Sequence, residues 1–371
     1  MTLPARLVQA VRPNASPGLL GGAAVVAAVF AGTPFLLPDV STRLGVPMGV
    51  TGLLSTGQVA SFAVAAFLAG RLFRPSRRFH FLGLALTAAA CFASAMTTDF
   101  TLLVATRVLS GLGLGLLTWV AWAEATRFRT GIFEVAAVAP ITAVVASPLW
   151  GWLIGVGGYR LVFSAMGLLA IAAFVLPVDF GDLPRIGRRV SGSRSNRLLL
   201  IALLLTTTGG SAVFIFSAAI GVEVHGLTPL SVSWGLSLNA LTGVAATRLR
   251  ASPRWVGLWM VVTALSALAL GTFSSPSLFF IVMAAWGFAF WMAIPAVFTL
   301  LAERSLTPSE RIGDAQAMMA LGRVFGPILG GIALGATQFA RLSVTGAAVM
   351  AAASAGVGLV AWYRTRQTTS V

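Results

Sequence analysis

Residues 100–124 read FTLLVATRVLSGLGLGLLTWVAWAE, an apolar run broken by Arg107 and closed by Glu124. A helix rises about 1.5 Å per residue, and about 20 apolar residues cross the hydrocarbon core of a bilayer. A strand alternates apolar and polar residues, whereas this stretch is apolar on every face. It reads as a membrane-spanning helix, and the rest of the chain repeats it.

Of the 371 residues, 57% are hydrophobic and 9% charged, too little polar cover for a soluble protein of this length. Apolar runs between breakers fall at 17–38, 48–70, 79–97, 101–123, 131–156, 160–177, 197–222, 229–247, 254–273, 277–301, 313–338 and 341–363. The expected fold is an all-α membrane protein of twelve transmembrane helices. Arg6 and Arg12 precede the first run, which exceeds a signal-peptide core and flows into Pro38 and Asp39, so an uncleaved first helix is expected.

The net charge of +15 would suggest nucleic acid in a soluble chain. In a membrane chain, basic residues gather in cytoplasmic loops instead, and no nucleic-acid partner is expected. All the cations are arginine, read as the codon bias of a GC-rich bacterial genome. With both termini cytoplasmic, one side collects Arg6, Arg12, Arg71, Arg74, Arg77, Arg78, Arg127, Arg129, Arg185, Arg188, Arg189, Arg194, Arg197, Arg248, Arg250, Arg254, Arg304, Arg311, Arg364 and Arg366. The other receives only Arg43, Arg160 and Arg341. That asymmetry fixes the expected orientation in an inner membrane and supports the span count. Cys91 stands alone in an apolar run, so no internal disulfide and no thiol metal cluster can form.

The second half echoes the first. Ala123-Glu124 is followed by Pro148-Leu149-Trp150-Gly151, and Ala302-Glu303 by Pro327-Ile328-Leu329-Gly330, at a constant offset of 179 residues. The one long polar connection, 178–196, separates six runs from six. Two pseudo-symmetric six-helix bundles are expected, 1–177 and 197–371, joined by a cytoplasmic linker at 178–196. Duplicated halves place a substrate site between them, near the bilayer midplane.

Several motifs carry a resemblance. Gly70-Arg71-Leu72-Phe73-Arg74-Pro75-Ser76-Arg77-Arg78 lies between spans 2 and 3. Leu103, Arg107, Gly111, Gly113 and Gly115 lie in span 4, Ser147-Pro148-Leu149-Trp150-Gly151-Trp152 in span 5, and Gly158-Tyr159-Arg160-Leu161-Val162-Phe163 before span 6. Span 11 carries Gly322-Arg323-Val324-Phe325-Gly326-Pro327-Ile328-Leu329-Gly330-Gly331. Together these resemble the major facilitator superfamily, and within it the proton-linked drug and metabolite antiporters. The resemblance implies two bundles rocking about a central cavity, and for Arg107 a part in proton or substrate coupling. The family's loop between helices 2 and 3 carries an aspartate and a glycine after its leucine. Phe73, Arg74 and Pro75 stand there in this chain, so the conformational lock attributed to that aspartate does not carry over.

The residues also speak for themselves. Gly111, Gly115, Gly322 and Gly326 have the spacing that lets helices approach closely. Pro148 and Pro327 remove a backbone donor and bend their helices, which suits either a shaped cavity wall or simple packing. Arg107 and Arg323 lie turns inside their spans, where an arginine needs an aqueous cavity or an acceptor; snorkelling is the plainer alternative for Arg107. Gln58, Asn239 and Gln316 are the polar candidates for a cavity, and Trp119, Trp150, Trp286 and Trp291 the aromatic ones, although aromatics on such helices also serve as packing. Gln316, Met319 and Arg323 share one helix face.

The ten acids sit near span ends or in loops, so two buried arginines have no buried acid, and an anionic substrate could supply the missing charge. Glu124 with Arg71 or Arg74, and Glu303 with Arg248 or Arg250, are expected to form gating ion pairs at the cytoplasmic helix ends, against the alternative of solvated surface charges. The sequence supports a monomeric secondary active transporter that exports a small amphipathic organic solute by alternating access, coupled to protons. Two alternatives stay open: an uptake carrier or facilitator for an organic anion, and a sensor or scaffold that does not transport. No enzyme chemistry, metal or cofactor is expected, and without lysine there is no nucleotide-binding loop to hydrolyse ATP.

Overall fold

The computed structural model describes residues 15–125, 131–180, 194–249, 255–303, 308–335 and 337–368. Among them every regular element is a helix. In chain order the α-helices are α1 (Pro17–Leu44), α2 (Met48–Leu72), α3 (Arg77–Met96), α4 (Phe100–Ala125), α5 (Gly131–Ala172), α6 (Arg194–Phe214), α7 (Ser217–Glu223), α8 (Pro229–Thr247), α9 (Val256–Thr272), α10 (Pro276–Glu303), α11 (Pro308–Leu334) and α12 (Phe339–Thr368), with a short 3-10 turn at Ala173–Val175 after α5.

Among the described residues, nine helical stretches are long and apolar enough to cross a membrane, α6 and α7 counting as one. Helix α9 is apolar but shorter. Helix α8 is diluted by Ser231, Ser233, Ser237, Asn239 and Thr242.

Local chemistry sets the boundaries. Helix α1 starts with Pro17 in its first turn, where the missing N–H costs nothing, and stops at Gly45, whose φ of 64° is the left-handed cap. Helix α8 starts at Pro229 behind Thr228, whose hydroxyl accepts from the Ser231 N–H at 3.1 Å. Two expected spans, 131–156 and 160–177, run as one element, α5, turned at Gly158 (φ 69°, ψ −165°). Only glycine adopts that conformation cheaply, and the Arg43 guanidinium occupies the space a Cβ would need. The Asp39 carboxylate fixes the turn from outside, accepting from the Tyr159 N–H at 2.7 Å and from Arg43 Nε at 2.9 Å. The Tyr159 hydroxyl in turn donates to the Thr97 carbonyl at 2.9 Å. The expected span 197–222 is interrupted between α6 and α7, at Ile215 and Phe216.

Packing falls into two sets. Helix α1 lies on α5, α2 on α4, and α3 on both α4 and α5. Helix α6 lies on α11 and α12, α9 on α10 and α12, and α8 on α10. Lipid is as apolar as the side chains, so close backbone approach rather than hydrophobic burial holds such helices together. Gly111 and Gly115 of α4 accordingly sit against Gln58, Ser61 and Phe62 of α2, and Gly322 and Gly326 of α11 against Leu204, Thr207, Thr208 and Ser211 of α6. The sets meet through α2 with α11, α5 with α8, and α1 with the short α7.

Candidate functional site

The two long seams between the sets are tight at one end. At the first, a Cβ on Gly49 would lie 2.5 Å from the Gly331 carbonyl, and one on Gly52 would lie 2.9 Å from the Pro327 carbonyl. The Thr56 hydroxyl then donates to the Val324 carbonyl at 3.5 Å. At the second, Gly151 packs on Ser233 and the Pro229 carbonyl, and the Ser237 hydroxyl donates to the Val144 carbonyl at 2.6 Å. The internal repeat relates the two seams, since Pro148 and Gly151 correspond to Pro327 and Gly330. Both sets of contacts occupy the beginning of one helix, α2 or α8, and the later part of its partner's span, α11 or the stretch of α5 before Gly158. Beyond Thr56, α2 continues to Leu72, about 24 Å by helix rise, and Phe67, on the face that carries Gly49 and Thr56, is exposed. Past Val144 toward the start of α5, Ala137, on the same helix face, is exposed. The arrangement is a cleft closed at one end and open at the other, with its apex at Thr56 and Val324.

Arg323 stands at that apex. It is enveloped by protein atoms yet keeps accessible surface, as a side chain lining an internal cleft does. Its direction follows from the helix. Leu321, Phe325, Ile328 and Ile332 form the exposed apolar stripe of α11, and by helical periodicity Arg323 lies opposite it, on the face shared with Gln316 and Ala320. Gln316 is exposed and Ala320 half-buried. Arg323 makes no hydrogen bond or ion pair with a described residue.

Arg107 has a different fate. It is fully buried, with its guanidinium carbon 4.9 Å from the centre of the Phe163 ring of α5 and its head beside the Cys91 thiol of α3. Its two terminal nitrogens have no hydrogen-bond partner among the described residues. It lies inside one set of helices, away from both seams.

Most other sequence-predicted polar and aromatic candidates are spent on packing. Gln58 Nε2 reaches Ser110 Oγ of α4 at 3.4 Å, and Asn239 Nδ2 donates to the Met283 carbonyl of α10 at 2.9 Å. The buried Trp150 donates its indole N–H to the Ala28 carbonyl at 2.9 Å, which pins α5 to α1. Trp119 meets Phe79 edge-on at 5.5 Å, Trp286 meets Phe214 at 5.7 Å, and Trp291 fills the space over Gly243. The structure does not gather the four tryptophans into one wall. Of the expected lining residues, it leaves Arg323 and Gln316 on the cleft.

At the open end, Arg71 lies 3.9 Å over the Phe67 ring, and Arg71, Arg74 and Arg248 are exposed. Glu124 is buried. Arg250 and the side chain of Glu303 lie outside the described residues.

Sequence reasoning missed Thr56 and Ser237, whose hydroxyls bridge the seams. A further polar side chain, His225, stands in the turn before α8. That ring is buried, with Nδ1 2.6 Å from the Ser275 carbonyl oxygen and Nε2 2.8 Å from that of Leu270, and it ties the turn before α8 to the end of α9.

The sequence profile of the Major Facilitator Superfamily matches residues 19–331. The purine ribonucleoside efflux pump NepI of Salmonella paratyphi B is 28% identical over 328 residues, covering 81% of each chain. The POT family transporter PepTSo superposes with a TM-score of 0.73 at 13% identity, over 95% of this chain and 98% of that one. A bacterial homologue of the human lysosomal transporter Spinster, in an inward-facing and unoccupied conformation, gives 0.70 at 15% identity, over 93% and 95%.

Proposed function

The chain belongs to the Major Facilitator Superfamily, and from that premise we propose that it exports a small amphipathic organic solute by alternating access, coupled to protons. The working unit is a monomer of twelve spans in two six-helix bundles, 1–177 and 197–371, joined by the linker 178–196. Both termini face the cytoplasm of a bacterial inner membrane, as the arginine asymmetry supports. With that orientation the open end of the cleft is cytoplasmic, where an exported solute enters. Purine ribonucleosides are the first solutes to test, after the relative's name.

One observation carries the reading: both seams are tight at the same end, and the cleft they leave has an arginine at its apex. Rocking the bundles about that apex opens the seams and closes the other end. Glu124 with Arg71 or Arg74, and Glu303 with Arg248 or Arg250, pair when it closes.

The absence of an acid from mid-span favours a second reading, passage without proton coupling. Proteoliposomes with an imposed pH gradient, offered purine ribonucleosides, organic anions and organic cations, separate the two. Flux that follows the gradient supports exchange with protons, and flux indifferent to it supports facilitation. No flux of any solute contradicts both.

A further inference from the structure

We propose that Arg323 is the cleft's recognition residue, and that the solute presents to it two adjacent, coplanar acceptor atoms. The inference rests on the transport reading for the cleft, and adds the chemistry of what enters it.

Three observations converge on this residue. Arg323 adjoins Val324, whose carbonyl takes the Thr56 hydroxyl at the end of the close α2–α11 approaches that begin at Gly49 and Gly331. Its side chain leaves α11 opposite the exposed apolar stripe, into the cleft rather than toward lipid. It has no acid, carbonyl or hydroxyl partner among the described residues. Arg107, the other arginine turns inside a described span, is shut within packed helices, so among the described residues Arg323 is the deep guanidinium that the cleft can offer.

A guanidinium holds its donors in a rigid planar fork that fits two neighbouring acceptors at once. No acid or carbonyl of the described residues competes for this fork, so a ligand that satisfies both its donors and its charge is favoured over one that does not. Two chemical sources supply such a pair. An oxyanion, carboxylate or phosphate, brings the pair with a charge, and a 6-oxopurine brings it uncharged as O6 and N7. Adenine sets a donor beside its acceptor and mismatches the fork. Gln316, on the same face toward the open end, can receive the rest of the solute.

The test is equilibrium binding to the full-length protein in nanodiscs, read by tryptophan fluorescence. The ligands are guanosine and adenosine, and benzoate and its neutral amide. The proteins are the wild type, Arg323→Lys, Arg323→Gln, and Arg341→Gln as a control on an exposed arginine. Guanosine should bind about tenfold tighter than adenosine, or benzoate about tenfold tighter than benzamide; which pair separates names the source. The preference should shrink in Arg323→Lys, vanish in Arg323→Gln and persist in Arg341→Gln. Equal affinities within both pairs, absence of binding by all four ligands, or a preference that survives in both Arg323 variants would overturn the proposal. The lysine variant keeps the charge and so guards against misfolding of the glutamine one. Failure of the transport reading looks different: proteoliposomes pass nothing while the Arg323-dependent preference stands. Flux with an undiminished preference in Arg323→Gln overturns this inference alone.

Discussion

Arg107 and Arg323 pose the same problem to the bilayer, and the fold answers it in two ways. Around Arg107, helices α3, α4 and α5 close completely, and the guanidinium rests against the Phe163 ring and the Cys91 thiol. Around Arg323, the close approaches of α11 to α2 run from Val324 to Gly331, on one side of the residue, and the side chain keeps its surface in the cleft. A charge inside a packed set of helices stiffens or strains that set, whereas a charge at the junction of two sets is available to a ligand. Depth in the span does not distinguish them; the neighbouring helix does.

Trp150→Ala strikes the packed side hardest. It empties a fully buried site and strands the Ala28 carbonyl, so unfolding stability in detergent should fall by about 3–5 kcal/mol, whereas Gln316→Ala on the cleft should leave the melting curve in place. Gly331→Val strikes the seam. Its side chain has no room beside the Gly49 carbonyl, and overpacking of about 1–3 kcal/mol should favour the state in which that seam is open. Faster labelling of a cysteine at Thr56 would report it. His225→Ala removes a ring held by two carbonyls and should cost about 1–3 kcal/mol in the same melts. The smallest stability effect belongs to the arginines themselves. Arg107→Met replaces a buried, unpaired charge with an apolar chain of similar reach and should be neutral or stabilising. Arg323→Met should change stability by no more than about 0.5 kcal/mol yet remove ligand preference. A large loss of stability in Arg323→Met, with ligand binding kept, would erase the distinction between the two sites.

Much of this was legible in the residues. The apolar runs, the glycine spacing at Gly111, Gly115, Gly322 and Gly326, and the turn around Gly158 all follow from local rules, and the motifs around them carried the resemblance to the family that the profile match bears out. The environment of each arginine was not. Arg107 and Arg323 look alike in sequence because each sits among glycines in an apolar run. One signal was available: Leu321, Phe325, Ile328 and Ile332 recur at helical spacing opposite Arg323, and marking them as the outer stripe points that arginine inward. The tryptophans gave no such sign, since a Trp that donates to a carbonyl, as Trp150 does, is indistinguishable in sequence from one that lines a cavity. The seam hydroxyls were hidden for a similar reason. Thr56 and Ser237 bridge helices, but Thr87 and Ser266, in equally apolar surroundings, bond back to the carbonyl four residues earlier.

Cysteine scanning along α11 tests the cleft most directly. Cys91 is the chain's one cysteine, so a Cys91→Ser background carries a single new thiol at Gln316, Ala320, Leu321, Arg323, Phe325 or Ile328. A water-soluble, membrane-impermeant maleimide applied to inside-out vesicles should modify positions 316, 320 and 323 rapidly, and 321, 325 and 328 slowly or not at all. Fast modification of 321, 325 and 328 with 320 and 323 silent, or equal rates at every position, would mean that Arg323 does not line a water-filled cleft.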